Sequence, residues 1–157
     1  MKISDEQAML NYGKQLGADF LKHLKQGNTI SASATSASPV IVVELLGDVG
    51  AGKTTLTRGI ASGLGIKTPV TSPSFTISKQ YSFLGGTLVH YDFYRLPDPG
   101  LMTEDLEESI STPGNIVVIE WADSVEGILP ENRMKIQINY NDDGTRNLEI
   151  VTDEETH

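Results

Sequence analysis

Val40-Ile41-Val42-Val43-Glu44-Leu45-Leu46 runs directly into Gly47-Asp48-Val49-Gly50-Ala51-Gly52-Lys53-Thr54-Thr55, after which Leu56, Ile60 and Leu64 recur at helical spacing up to Gly65. An apolar, β-branched run of this kind reads as a central strand covered on both faces. The glycine-rich stretch has the full Walker A pattern, and it lies where that pattern works, between a buried strand and an amphipathic helix. The chemistry explains the residue types. Glycines let backbone N–H groups converge on phosphate oxygens, and the helix N-terminus adds the positive end of its dipole. Lys53 would reach the β- and γ-phosphates, and the Thr54 hydroxyl would take one place on Mg²⁺. The candidate nucleotide site is therefore the whole loop: Gly47, Asp48, Val49, Gly50, Ala51, Gly52, Lys53, Thr54 and Thr55.

Outward from this unit the pattern stays α/β. On the N-terminal side, Ser4-Asp5-Glu6-Gln7 reads as a capping box with Ser4 at the N-cap. Met9, Leu16, Phe20 and Leu24 follow at helical spacing, with Gly27-Asn28 as the stop. Ser31 to Ser38 is a Ser/Ala-rich stretch with nothing large to bury, expected to be a flexible loop before the first core strand. On the C-terminal side, Ser74 to Phe83 and Thr87 to Tyr94 read as two strands joined at Gly85-Gly86. Glu104 and Asp105 after Thr103 suit the first turn of a short helix. Asn115 to Glu120 is a second buried strand, and Met134 to Tyr140 turns at Asp142-Asp143-Gly144 and returns through Leu148 to Val151 as an antiparallel hairpin. The expectation is one domain over residues 1–157. It would be a three-layer α/β domain like a P-loop NTPase, with a mixed, largely parallel central sheet and a C-terminal antiparallel hairpin.

Composition narrows the function classes. With 157 residues the chain is long enough for one real core. The 12 Lys and Arg against 21 Asp and Glu leave a formal charge of −9, which argues against a broad electrostatic grip on nucleic acid. The absence of Cys excludes thiol catalysis, disulfides and Cys-based zinc. An acidic start and a longest apolar run of Val40 to Leu46 argue against a signal peptide or membrane span, so a soluble, cytoplasmic protein is expected.

Other residues carry possible chemistry. Glu120 closes Ile116 to Ile119 in the manner of a Walker B acid, able to hold Mg²⁺ or orient the attacking water, although any strand end can carry an acid. In His90-Tyr91-Asp92-Phe93-Tyr94-Arg95, strand alternation puts His90, Asp92 and Tyr94 on one face. Asp92 among aromatics is costly unless paired, metal-bound or terminal, which makes it a second candidate acid. His90 reads better as a structural residue hydrogen-bonded to a neighbour than as a catalytic one. Arg95 suits either charge neutralisation or a pair with Asp98. Thr71, Ser72, Ser74 and Thr76 lie where a nucleotide-sensing switch would lie, or in a plain turn. Trp121, the single Trp, packs either near the site or in the core. Glu44 in the apolar strand must be paired or near an edge. Glu104, Asp105, Glu107 and Glu108 read as a solvated helix face.

Taken together, these blocks resemble the bacterial TsaE (YjeE) family of small P-loop ATPases in tRNA threonylcarbamoyladenosine synthesis. The likeness rests on Gly47 to Thr55, Ser72-Pro73-Ser74-Phe75, His90 to Leu96, Ile119-Glu120-Trp121 and Leu129-Pro130-Glu131-Asn132-Arg133. It departs at Ser74, where the family usually has Thr, and in the length of the Ser31–Ser38 stretch. The resemblance implies a Mg²⁺-dependent ATPase, slow without partners. It implies Lys53, Asp92 and Glu120 as catalytic residues, Thr54, Asp92 and Glu120 as metal ligands, and Thr71 to Thr76 as a switch with Trp121 beside the site. It also implies TsaB-like and TsaD-like protein partners. The residues themselves leave open a small-molecule kinase or a non-hydrolysing nucleotide-dependent module. A GTPase fits less well, because no Asn-Lys-x-Asp segment is present to read guanine.

Overall fold

The two apolar runs that frame the site become neighbouring strands at the centre of the sheet. A computed structural model describes residues 1–30, 39–73, 76–94, 96 and 98–151. In chain order the elements are β1 (Lys2–Ile3), α1 (Glu6–Ile30), β2 (Ile41–Leu46), α2 (Lys53–Gly63), β3 (Ser78–Phe83), β4 (Gly86–Asp92), α3 (Met102–Ser111) and β5 (Asn115–Glu120). A 3-10 helix over Ala122–Ile128 leads into β6 (Met134–Tyr140) and β7 (Arg146–Val151). The seven strands form one sheet in the order β1-β7-β6-β2-β5-β4-β3. β2 is parallel to both β5 and β6, and β4 is parallel to β5. β3, β7 and β1 add antiparallel pairs on the two flanks. The expected mixed sheet and C-terminal hairpin are present, with the parallel pairing confined to the centre.

Strand alternation sorts side chains to two faces and so builds three layers. Val43 and Leu45 of β2 join Ile116 and Val118 of β5 under α1 and α2, against Met9, Phe20, Leu56 and Ile60. Val42, Val117 and Ile119 point the other way and pack with Tyr91, Phe93, Leu106 and Val125 under α3 and the 3-10 helix. Leu56 and Ile60 are fully buried, each contributing about 1.5–3 kcal/mol to the fold, and they press the P-loop helix onto β2 and β5.

The approach of α1 to α2 is set by glycines. A Cβ on Gly17 would run into the Ile60 carbonyl, and one on Gly63 into that of Lys14. Gly13 and Gly59 face each other one turn away. Backbones can come this close only where the side chain is a hydrogen.

Several local expectations shift. Asp5, not Ser4, caps α1, its Oδ1 accepting from the Ala8 N–H at 2.8 Å. The backbone continues helical past Gly27-Asn28 to Ile30, because a single Gly or Asn weakens a helix without forbidding it. β3 starts at Ser78, since Ile77 holds a left-handed φ of 67° and its N–H turns back to the Pro73 carbonyl at 2.9 Å. β4 ends at Asp92, where the Asp92 carboxylate takes the Tyr94 N–H that pairing would have used. Glu104 and Asp105 do occupy the first turn of α3. The Ser31–Ser38 stretch lies outside the described residues, as do Ser74 and Arg95. No helix among the described residues is long and apolar enough to cross a membrane.

Candidate functional site

β2, β5 and β4 run parallel and end together, so the loop after β2 and the last residues of β5 and β4 share one edge of the sheet. Leu45 pairs with Glu120 across β2 and β5, and Glu120 pairs with Asp92 across β5 and β4. Ligands of open α/β sheets bind at this C-terminal edge. A cavity of about 350 Å³ opens there, lined by Val49, Gly50, Gly52, Lys53, Thr54, Thr55, Ser72, Asp92, Tyr94, Glu120 and Trp121. A larger one of about 450 Å³ lies at the other end of β2, around Val40, Ile41 and Met134. It touches no part of the glycine loop, so size alone does not locate the chemistry.

The start of α2 is built for an anion. Gly52 sits at its N-cap with φ 110°, and no side chain among the described residues caps the helix. A residue with a Cβ would be strained there, and the first N–H groups of the helix keep their hydrogen-bonding capacity. Two side chains from the hairpin brace the loop from outside. Both Tyr140 Oη and Arg146 Nη2 donate to the Gly50 carbonyl, the latter at 3.3 Å, and the Arg146 guanidinium lies 4.8 Å from the Tyr140 ring centroid.

Lys53 is 5% exposed and folds back on its own loop. Its Nζ donates to the Gly47 carbonyl at 2.7 Å and lies 3.7 Å from the Trp121 ring centroid. Burial pushes its ammonium down from the ordinary lysine value, and the charges of Glu120, Asp92 and Asp48 pull it back up. Trp121 holds a left-handed φ of 57° directly after Glu120, a strained conformation for so large a residue. That turn lays its ring on Lys53 and 4.8 Å from the ring of Tyr94.

The two acids differ in their surroundings. Asp92 is half-buried, with Tyr94 N donating to Oδ1 at 2.9 Å and the Ser72 hydroxyl 3.5 Å from Oδ2. Glu120 is 3% exposed, and its Oε2 is 2.6 Å from His90 Nε2. Among the described residues no group of three or more His, Cys, Asp and Glu side chains could hold a metal. What the cavity offers is hard oxygen donors, the Thr54 hydroxyl and the two carboxylates. That set fits Mg²⁺, which takes one or two carboxylates and completes its shell with phosphate oxygens and water.

Of the residues singled out from sequence, the cavity brings together Val49, Gly50, Gly52, Lys53, Thr54, Thr55, Ser72, Asp92, Glu120 and Trp121. Gly47, Asp48 and Ala51 complete the loop without lining the cavity. Thr71 and Thr76 stand outside it. Thr71 is held by Lys79 and by the Tyr81 hydroxyl, and Thr76 bonds the Ser78 carbonyl at 2.9 Å. Sequence reasoning missed Tyr94, Tyr140 and Arg146 as site residues. Period-two alternation already put Tyr94 on the face of Asp92. Nothing local could show that β6 and β7 would lie beside the loop.

Strand, glycine loop, uncapped helix and two acids on adjoining strand ends make this a domain of the P-loop NTPase type. The family model for threonylcarbamoyl adenosine biosynthesis protein TsaE matches residues 3–148, and the chain belongs to that family. It is 38% identical over 153 residues to the tRNA threonylcarbamoyladenosine biosynthesis protein TsaE of Haemophilus influenzae, covering 95% of this chain and 86% of that one. It is 42% identical over 118 residues to the Bacillus subtilis protein of the same name, covering 74% and 72%. Among solved structures, the crystal structure of YdiB from Bacillus subtilis superposes with a TM-score of 0.70 at 30% identity, covering 96% of this chain and 82% of that one.

Proposed function

We propose that this protein binds Mg·ATP in the loop Gly47–Thr55 and hydrolyses it slowly, in the service of tRNA threonylcarbamoyladenosine modification by TsaB-like and TsaD-like proteins in the cytoplasm. The observation that carries the reading is the uncapped start of α2 beside Lys53, with Asp92 and Glu120 paired across the ends of β4 and β5. Membership of the TsaE family supports the pathway.

The residues divide the work as follows. Backbone N–H groups of the loop hold the phosphates, and Lys53 leaves the Gly47 carbonyl to neutralise their charge. Thr54 and the two carboxylates would hold the cation, which when bound draws off charge between the β- and γ-phosphates. Glu120 would orient the attacking water, and Asp92, whose Oδ1 accepts from Tyr94 N, would hold the cation or its water. Catalysis of this kind is positioning plus charge neutralisation. No Arg among the described residues lines the cavity. Among the described residues Lys53 is the one side-chain cation in its wall, which supports a slow turnover alone and help from a partner.

The test compares wild type with Lys53→Ala in single-turnover phosphate release, with and without TsaB-like and TsaD-like partners. Wild type should release phosphate in a Mg²⁺-dependent manner, faster with partners, and the variant should lose at least tenfold. Unchanged release in the variant would sink the assignment. Nucleotide binding without any release in wild type would make the protein a nucleotide-dependent binding module. Release that needs an added nucleoside acceptor would make it a kinase.

A further inference from the structure

His90 is fully buried, yet its ring makes a single polar contact. Nε2 lies 2.6 Å from Glu120 Oε2, while Nδ1 is buried with no hydrogen-bond partner among the described residues. A ring placed there only for packing is a poor choice. An unpaired buried nitrogen is a standing cost that Leu or Met would avoid, so the gain must lie at Nε2. The orphan also assigns the tautomer. A proton on Nδ1 would be a buried donor with no acceptor, so the proton sits on Nε2 and is donated to Oε2.

Register makes this contact specific. His90 pairs with Val118 and Asp92 with Glu120 in the parallel β4–β5 ladder. His90 and Glu120 are therefore diagonal neighbours on one face of the sheet, with Asp92 the next residue along that face. One carboxylate oxygen is tied down from inside the core, and the other is left to the cavity that Glu120 lines. A Glu120 free to rotate would no longer present one fixed oxygen to water or cation.

We propose that His90 is a positioning residue, which holds Glu120 by Oε2 so that Oε1 alone faces the bound cation or its water. The proposal rests on the Mg·nucleotide reading above. Its logic is that of outer partners of metal-binding side chains, whose loss costs 10–100-fold in affinity or activity.

The experiment uses the full chain as wild type, His90→Gln and His90→Leu. Gln places an amide N–H near the position of Nε2, whereas Leu fills the space without a donor. Affinity for a non-hydrolysable ATP analogue is measured by calorimetry in EDTA and in Mg²⁺, and single-turnover hydrolysis is followed with partners present. In EDTA the three proteins should bind alike, because the loop amides and Lys53 are untouched. The affinity gained with Mg²⁺ should shrink about tenfold in His90→Leu and survive in His90→Gln. The hydrolysis rate at saturating Mg·ATP should fall about tenfold or more in His90→Leu, and recover in His90→Gln. Nitrogen-15 spectra of the free protein should show His90 protonated at Nε2 and bare at Nδ1.

A His90→Leu protein that matches wild type in Mg²⁺ response and rate overturns the positioning role. Equal damage in both variants, or lost affinity in EDTA, overturns it too, since the ring would then be structural support. A wild type that binds no nucleotide, or ignores Mg²⁺, overturns the functional reading and the positioning role with it. A Mg²⁺-responsive wild type with an equally responsive His90→Leu removes the positioning role alone.

Discussion

Glu44 sits among valines and leucines in β2, where a bare carboxylate would be intolerable. Arg133 resolves it: Nε donates to Glu44 Oε2 at 3.2 Å, and the two side chains are 6% and 8% exposed. The same guanidinium bonds the Pro130 carbonyl at 3.0 Å, tying the approach to β6 onto β2. Breaking one member of a buried pair strands the other, at about 3–5 kcal/mol, while replacing both with apolar residues costs far less. Glu44→Ala should therefore lower stability by about 3 kcal/mol in urea denaturation, and Glu44→Leu with Arg133→Met should regain most of it. Losses that merely add across the two sites would show that the pair is uncoupled. The sequence could say that Glu44 needed a partner. It could not say which, because Arg133 is 89 positions away. Lys53, Asp92 and Glu120 were legible for the opposite reason, since each is marked by neighbours within a few residues.

Elements were legible where the pattern is periodic and uninterrupted. β5 falls where its unbroken apolar run put it and β6 where the alternation did, and β7 starts at Arg146, two residues before the expected Leu148, whereas β3 starts late because Ile77 leaves the extended region. The α1–α2 crossing was hidden, since Gly13, Gly17, Gly59 and Gly63 look like poor helix formers until the two backbones are seen to touch. Overpacking costs about 1–3 kcal/mol, and the better helix propensity of Ala returns at most about 1 kcal/mol. Gly17→Ala should thus lower Tm by a few degrees rather than raise it, and a raised Tm would show that the crossing has slack. At the hairpin turn, Asp143 Oδ1 accepts from the Thr145 hydroxyl and N–H, and Oδ2 meets Lys2 of β1 at 3.0 Å. The Thr145 hydroxyl, then its N–H, then Lys2 hold this carboxyl well below its ordinary value of 3.8. A carboxylate depressed on folding adds stability that is full above its unfolded value and fades as pH falls toward the lower folded one. Asp143→Asn should be less stable than wild type at neutral pH. The gap in Tm should close as pH drops below 3.8, and a constant gap would show that charge plays no part.

At the scale of the molecule, sequence gave the class of fold and the residues of the loop, but not the order of the strands. That order is what places Tyr140 and Arg146 on the loop and Asp92 beside Glu120, and it depends on contacts far apart in the chain. It also makes the site a meeting point of β2, β4, β5, α2 and the hairpin, so a ligand there ties together elements that otherwise meet only through the core. A ligand that binds the folded chain alone stabilises it by about 2.7 kcal/mol at a hundred times its Kd. For a domain of this size that is a Tm rise of roughly 5–10 °C. The net charge of −9 works against any polyanion that binds without a built site, so the rise should need Mg²⁺ with ATP and should not appear with inorganic polyphosphate at equal charge. Lys53→Ala should unfold near the wild-type temperature without nucleotide and lose most of the rise with it. An equal rise in that variant, or one produced by polyphosphate, would place the binding away from the start of α2.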